Sequence, residues 1–140
     1  MIILASKSQT RVQLLANAAI TFETDIARID EREIESLASD QGFDQHNLTQ
    51  KLADAKAKEV SMRHPQAFVI GADQTLSINS SYLHKPANFD ALRAQLQLLR
   101  SQTHTLCAAV SIHRDGKPTW GHQSDAHLTM RAFSEGERDK

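Results

Sequence analysis

The sequence predicts an α/β fold, and three observations carry that prediction. Two apolar runs, "MIILA" (1–5) and "AFVIGA" (67–72), read as buried strands. Between and after them lie segments whose apolar residues recur at helical spacing. Strand-like and helix-like segments thus alternate along 140 residues, a length that suits one domain with its own core, residues 1–140.

The elements follow in order. The first run starts at Met1, and Ser8 is placed to cap a helix whose apolar face is Val12, Leu15 and Ala19, flanked by Leu14 and Ala18. "ITFE" (20–23) is short and β-prone. Residues 24–45 are acidic and polar and read as a loop with at most a turn of helix. The next helix covers 46–64, with Asn47 as its cap and Leu48, Leu52, Ala55 and Val60 as its buried stripe, and Pro65 stops it. "TLSI" (75–78) and "SYLHK" (81–85) flank Asn79-Ser80 as a hairpin. Asn88 or Asp90 starts a third helix with Leu92, Leu96 and Leu99 at helical spacing. Residues 104–120 alternate through Leu106, Ala108, Val110 and Ile112, then turn at Asp115-Gly116, a strong hairpin signal. "AHLTMRAF" (126–133) alternates again. "SEGE" (134–137) has the spacing of a capping box, yet three residues follow it. The expectation is a chain shortened at its C-terminus.

Bulk composition narrows the function classes. A net charge of −1 argues against nucleic-acid or membrane affinity driven by charge. The single Cys107 excludes an intramolecular disulfide, no stretch approaches a membrane span, and the N-terminus lacks the order of a secretory signal. The expected location is the cytoplasm.

Four constellations offer chemistry. In "ASKSQTR" (5–11), Ser6, Ser8 and Arg11 sit where a strand gives way to a helix, a natural anion site. The alternative is a capping Ser8 and a solvated Arg11. Asp73 follows a central strand, where α/β sheets bind ligands, or else it is a turn residue bonded to its own backbone. Lys56 and Lys85 are candidate cations, with Lys58 beside the first and Pro86 after the second; the alternative is solvation. Asp30 and Glu31 pair two carboxylates that suit Mg²⁺ or are simply solvated. None of the seven histidines falls in a zinc motif, and there is neither a P-loop nor a GxGxxG.

The order of these parts resembles the Maf-like nucleotide pyrophosphatases. "LASKSQTRVQLL" (4–15) is similar to that family's opening Leu-Ala-Ser-x-Ser-Pro-Arg-Arg-x-x-Leu-Leu. "IDE" (29–31), "KLADAKAKEV" (51–60), "VIGADQTL" (69–76), "HKP" (84–86) and "LRSQTH" (99–104) resemble the motifs that follow, and the whole set looks most like the alphaproteobacterial branch. The resemblance implies a mixed, twisted sheet with flanking helices around a central cleft. It implies hydrolysis of a nucleoside triphosphate to a monophosphate and pyrophosphate, in a house-cleaning role. A divalent metal, Mg²⁺ or Mn²⁺, is the implied cofactor, and a homodimer the implied assembly.

Residue by residue, the resemblance gives Asp73 the proton acceptor's position. Ser6, Ser8 and Arg11 take the phosphate-binding positions, Lys56 and Lys85 the cationic ones, and Glu31 with Asp73 those near the metal. Thr10 and Gln74 take positions linked to the choice of base. Gln74 is similar to the subgroup acting on 7-methyl-GTP, but that subgroup carries Trp where Thr10 stands, so the base stays open. Three departures accompany the resemblance. Gln9-Thr10 replaces Pro-Arg, Ser101 replaces a Gly, and the family continues beyond this chain's end. The competing expectation is an inactive fragment or degenerate paralogue that at most binds nucleotide.

Overall fold

The computed structural model describes residues 1–40, 44–78, 81–83, 88–99 and 103–129. Its elements are β1 (Ile2–Leu4), α1 (Gln9–Asn17), β2 (Glu23–Thr24), α2 (Glu31–Asp40), α3 (Gln45–Arg63), β3 (Phe68–Ile78), β4 (Ser81–Leu83), α4 (Phe89–Leu99), β5 (Thr103–Arg114) and β6 (Lys117–Thr129). They form the expected mixed α/β fold. The sheet order is β2-β1-β3-β5-β6, with β4 paired to β3. β1 lies parallel to β2 and to β3, with Ile3 opposite Glu23 and Val69, whereas β4 runs antiparallel to β3, with Ser77 opposite Tyr82.

Two compact units are distinguished, Met1–Gln74 with Ala108–Ser124, and Thr75–Cys107 with Asp125–Lys140. The core of the first is Ile3, Ala5, Ala57, Val60, Ala67 and Val69. α3 buries Leu48, Thr49, Leu52, Ala53, Ala57, Val60 and Ser61, so much of its inward face is made of small residues. That lets the sheet come close. A Cβ built on Gly71 of β3 would stand 2.4 Å from the Ala53 carbonyl oxygen and 2.7 Å from the Ala57 nitrogen. No larger residue fits there without moving the backbone.

Several local expectations change. The acidic stretch after β2 contains α2, a ten-residue helix. Asp30 caps it, its Oδ1 accepting the Glu33 N–H at 3.1 Å, and Glu31 and Glu33 place negative charge where the helix dipole favours it. α3 is capped by Asp44 rather than Asn47; the Asn47 N–H donates to Asp44 Oδ1 at 2.9 Å. Its Ala55 is only partly buried, because the buried stripe passes through Ala53 and Ala57 instead. α1 is capped by Ser8 as expected, but none of its residues is buried and it stops at Asn17. Ala19 is left-handed at φ 59°, its N–H donates to Ala16 O, and the Ile20 N–H reaches Leu15 O. This is the Schellman ending, with Ala where Gly is usual.

The largest correction concerns β3. The strand does not end with the apolar run at Ala72 but continues to Ile78, so Asp73 lies mid-strand and is not a turn residue. Side chains alternate along a strand, which puts Asp73 on the same face as Gly71 and Gln74 on the other. On β5 the deeply buried residues are Cys107, Ala109, Ser111 and His113, while Leu106, Ala108, Val110 and Ile112 are half-buried. Ser111 Oγ meets His113 Nδ1 at 3.0 Å, which satisfies that polar pair. Asp115 and Gly116, both at positive φ (54° and 73°), make the expected two-residue turn. β6 then runs unbroken to Thr129, taking in the start of the stretch expected as a separate strand.

In the second unit, β4 completes the expected hairpin, although Asn79-Ser80 lie outside the described residues. Asn88 begins α4, its Oδ1 accepting the Ala91 N–H at 2.8 Å. Leu92 of α4 is exposed and Leu96 half-buried. Thr103 and Thr129, and Thr105 and His127, are bonded between β5 and β6. His84, Lys85, Ser101 and the "SEGE" segment lie outside the described residues.

Candidate active site

The first part of the site is the turn from β1 into α1. Ser6 is buried just past the strand, and its Oγ accepts the Ser8 N–H at 3.1 Å and Arg11 Nη1 at 3.2 Å. Ser8 Oγ accepts the Arg11 N–H at 3.4 Å as the helix cap. Two hydroxyls and one guanidinium are therefore gathered at a helix start, where backbone N–H groups lack intrahelical partners. Ser8 therefore caps the helix, which is one of the two readings of this residue from the sequence.

The second part is built by three elements that meet on α3. Lys56 Nζ stands 2.7 Å from Asp73 Oδ1 of β3 and 2.8 Å from Glu31 Oε1 at the start of α2. Asp73 is 9% exposed. Lys58, two residues on, is exposed. Helical geometry separates them, because residues i and i+2 do not share a face. Of the acidic pair, Asp30 is occupied in capping α2, and Glu31 is the one that joins Lys56.

Burial pushes the Asp73 carboxyl above its ordinary range, since a charge is poorly solvated there. The Lys56 hydrogen bond and charge oppose that rise, Glu31 adds to it, and Arg11 pulls weakly downward. β1, which leads into the cradle, pairs in parallel with β3, Leu4 opposite Ile70, three residues before Asp73. A carboxylate raised by burial is a stronger proton acceptor than a solvated one. Two carboxylates on one cation also form an all-oxygen donor pair, the set that Mg²⁺ or Mn²⁺ uses alongside phosphate oxygens.

The structure therefore brings together Ser6, Ser8 and Arg11, and separately Glu31, Lys56 and Asp73. Thr10 and Gln74 are exposed, and Gln74 faces away from Asp73. Lys85 lies outside the described residues. Sequence reasoning missed α2, the helix that delivers Glu31. Its signals were present: a capping Asp30 three residues before Glu33, then Ile34, Leu37 and Ala38 at helical spacing.

Among the described residues, no helix is long and apolar enough to cross a membrane. The chain matches the family described as Maf-like protein over residues 1–140. It is 47% identical over 135 residues to a 7-methyl-GTP pyrophosphatase of Brucella abortus, a match that covers 96% of this chain and 68% of that protein. It is 43% identical over 132 residues to a nucleoside triphosphate pyrophosphatase of Paramagnetospirillum magneticum, covering 94% and 68%. Among solved structures, the Ham1 protein of Staphylococcus aureus superposes with a TM-score of 0.57 over 90% of this chain and 69% of that one. At 14% identity, that likeness shows the fold alone. With the family match running the whole length of the sequence, the chain belongs to the Maf family.

Proposed function

We propose that this chain is a nucleoside triphosphate pyrophosphatase in which Asp73 is the general base. One observation carries the reading: the buried Asp73 carboxylate is held by Lys56 at 2.7 Å on β3, the strand paired in parallel with β1, which leads into the Ser6–Arg11 cradle. The relatives named as pyrophosphatases support the same activity.

In this reading the triphosphate is bound by Ser6, Ser8 and Arg11, whose donors match phosphate oxygens. Asp73 orients a water toward the α-phosphorus and accepts its proton. The water oxygen forms the new bond to that phosphorus, and the bond to the α–β bridging oxygen breaks. Pyrophosphate leaves with the bridging oxygen, and the nucleoside monophosphate remains. Lys56 and Lys85 stabilise the negative charge that builds on the phosphates. Glu31 and Asp73 would hold a divalent cation, Mg²⁺ or Mn²⁺, which when bound supplies further charge neutralisation.

Gln74 and the Brucella relative's name make 7-methyl-GTP the first substrate to assay. The test is a nucleotide panel with Mg²⁺ or Mn²⁺, scored by release of pyrophosphate and monophosphate. Asp73→Asn is expected to lose activity by about 10²–10⁴-fold, the usual contribution of a positioned base. If the Asp73→Asn variant is as active as the parent on every nucleotide, Asp73 is not the base.

A further inference from the structure

We propose that Gly71 is a positioning residue: the close approach of β3 to α3 that its missing side chain permits sets the distance from Lys56 to Asp73. Gly71 and Asp73 share one face of β3, and that face meets α3. The atoms a Cβ at 71 would strike are Ala53 O at 2.4 Å, Ala57 N at 2.7 Å and Ala57 Cβ at 2.9 Å. Two of the three are backbone, and Ala53 and Ala57 lie one on each side of Lys56 along the helix. The contact therefore fixes the stretch of α3 that carries the ammonium. Val60 and Val69 belong to one buried cluster below it, so helix and strand are already packed there. A Cβ at 71 must lever α3 away from β3 just where Lys56 reaches Asp73 across 2.7 Å. Close-packed interiors do not absorb such a wedge without displacement.

Asp73 could be held by Lys56 across a wider gap, since lysine is long. Glu31 argues against that freedom. The same ammonium lies 2.8 Å from Glu31 on α2, so lengthening one contact disturbs the other. The proposal rests on Asp73 and Lys56 being the reacting pair only in its consequence for turnover.

The test uses the purified chain without nucleotide, and reads the ¹⁵N resonance of the Lys56 ammonium, assigned by its loss in Lys56→Arg. Gly71→Ala is expected to shift that resonance or broaden it through exchange with water. Ala57→Ser, which adds one atom to the same contact from the helix side, is expected to act in the same direction more weakly. In turnover, kcat falls by about 10²-fold in Gly71→Ala, as for a misplacement of about 1 Å. KM changes far less, because Ser6 and Arg11 keep their own contacts. Val69→Ala, a packing loss on the same strand face, lowers Tm and leaves the resonance in place. The proposal fails if folded Gly71→Ala and Ala57→Ser keep the parent resonance and kcat, or if Val69→Ala moves the resonance equally. Should Gly71→Ala not fold, Ala57→Ser decides. The resonance needs no substrate, so a moved signal in a chain that hydrolyses nothing would overturn the pyrophosphatase reading and leave Gly71's role standing.

Discussion

Lys56 and Arg63 stand two turns apart on α3, and each holds two carboxylates. Lys56 bridges Asp73 and Glu31. Arg63 grips Glu59 through Nε at 2.7 Å and Nη2 at 2.9 Å, and Asp25 through Nη1 at 2.6 Å. On paper the two clusters are alike. The shifts run in opposite directions, downward at Asp25 and Glu59 and upward at Asp73. The hydrogen bond from His64 outweighs the cost of burial and, with Arg63, holds Asp25 below its ordinary value. Arg63 does the same for Glu59. At Asp73 burial outweighs the ammonium, and the carboxyl rises. The Asp25 side chain is 31% exposed and that of Asp73 12%. Water, rather than the count of partners, separates a cluster that fastens the β2–α2 connection to α3 from one suited to chemistry.

The largest effect is expected at Lys56. Lys56→Met leaves two carboxylates without their cation, and removing one partner of a largely buried pair costs about 3 kcal/mol. Pyrophosphate release is expected to fall by about 10²–10³-fold, the scale of losing one preorganised electrostatic group. Chemical denaturation and a kinetic assay on the same preparation check both.

Arg63→Ala is the counterpart. It removes a partly exposed network and is expected to cost about 1 kcal/mol, seen as a few degrees in Tm. Turnover should stay within about twofold of the parent. A large loss of kcat there, with the fold intact, would erase the contrast between the clusters.

The pH dependence of stability sharpens the contrast further. Asp25 and Glu59 have lowered values, so their contribution is present above the ordinary carboxylate range and is lost as pH falls through the lowered values. Asp73 has a raised value, so its contribution is full below the ordinary range and is lost as pH rises through the raised value. Ionising Asp73 is thus a net cost to the fold. The gap in Tm between the parent and Arg63→Ala should therefore widen as pH rises from 3 to 7.

The smallest effect lies at Ala19, outside both clusters. Its left-handed φ of 59° costs an L-residue roughly 1–2 kcal/mol, partly offset by the extra freedom a Gly has when unfolded. Ala19→Gly should therefore raise stability by about 0.5 kcal/mol, measured by denaturant midpoint, and leave activity unchanged.

Much of this was legible in the sequence. The apolar runs at 1–5 and 67–72 become β1 and the start of β3 because continuous apolar stretches suit strands covered on both faces. Ser8 as a cap and Asp115-Gly116 as a turn follow from local chemistry that needs no tertiary context. The misses have tertiary causes. α2 was hidden by its acidity, although a first turn rich in Glu is what a helix dipole favours. Asp73 looked like the end of a strand because a charge seldom lies inside one. Lys56, seventeen residues earlier, makes that burial tolerable, and no local pattern shows it. Gly71 carries no local sign that a helix backbone comes closest there. Ser6 and Arg11 stand out as an anion-type turn and Glu31 as half of an acidic pair, to which the family resemblance adds roles; what the structure adds is that the first two share a bond and the third reaches Lys56.

The most direct measurement pairs Asp73→Asn with Asp25→Asn at pH 7, reading Tm and pyrophosphate release on the same samples. Asp73→Asn is expected to keep or raise Tm, because Lys56 retains Glu31 as a partner and a costly buried charge is removed, while losing about 10²–10⁴-fold in activity. Asp25→Asn is expected to lower Tm while staying within about twofold in activity. Asp73→Asn that melts earlier and still turns over at the parent rate would contradict the assignment of Asp73 as the base.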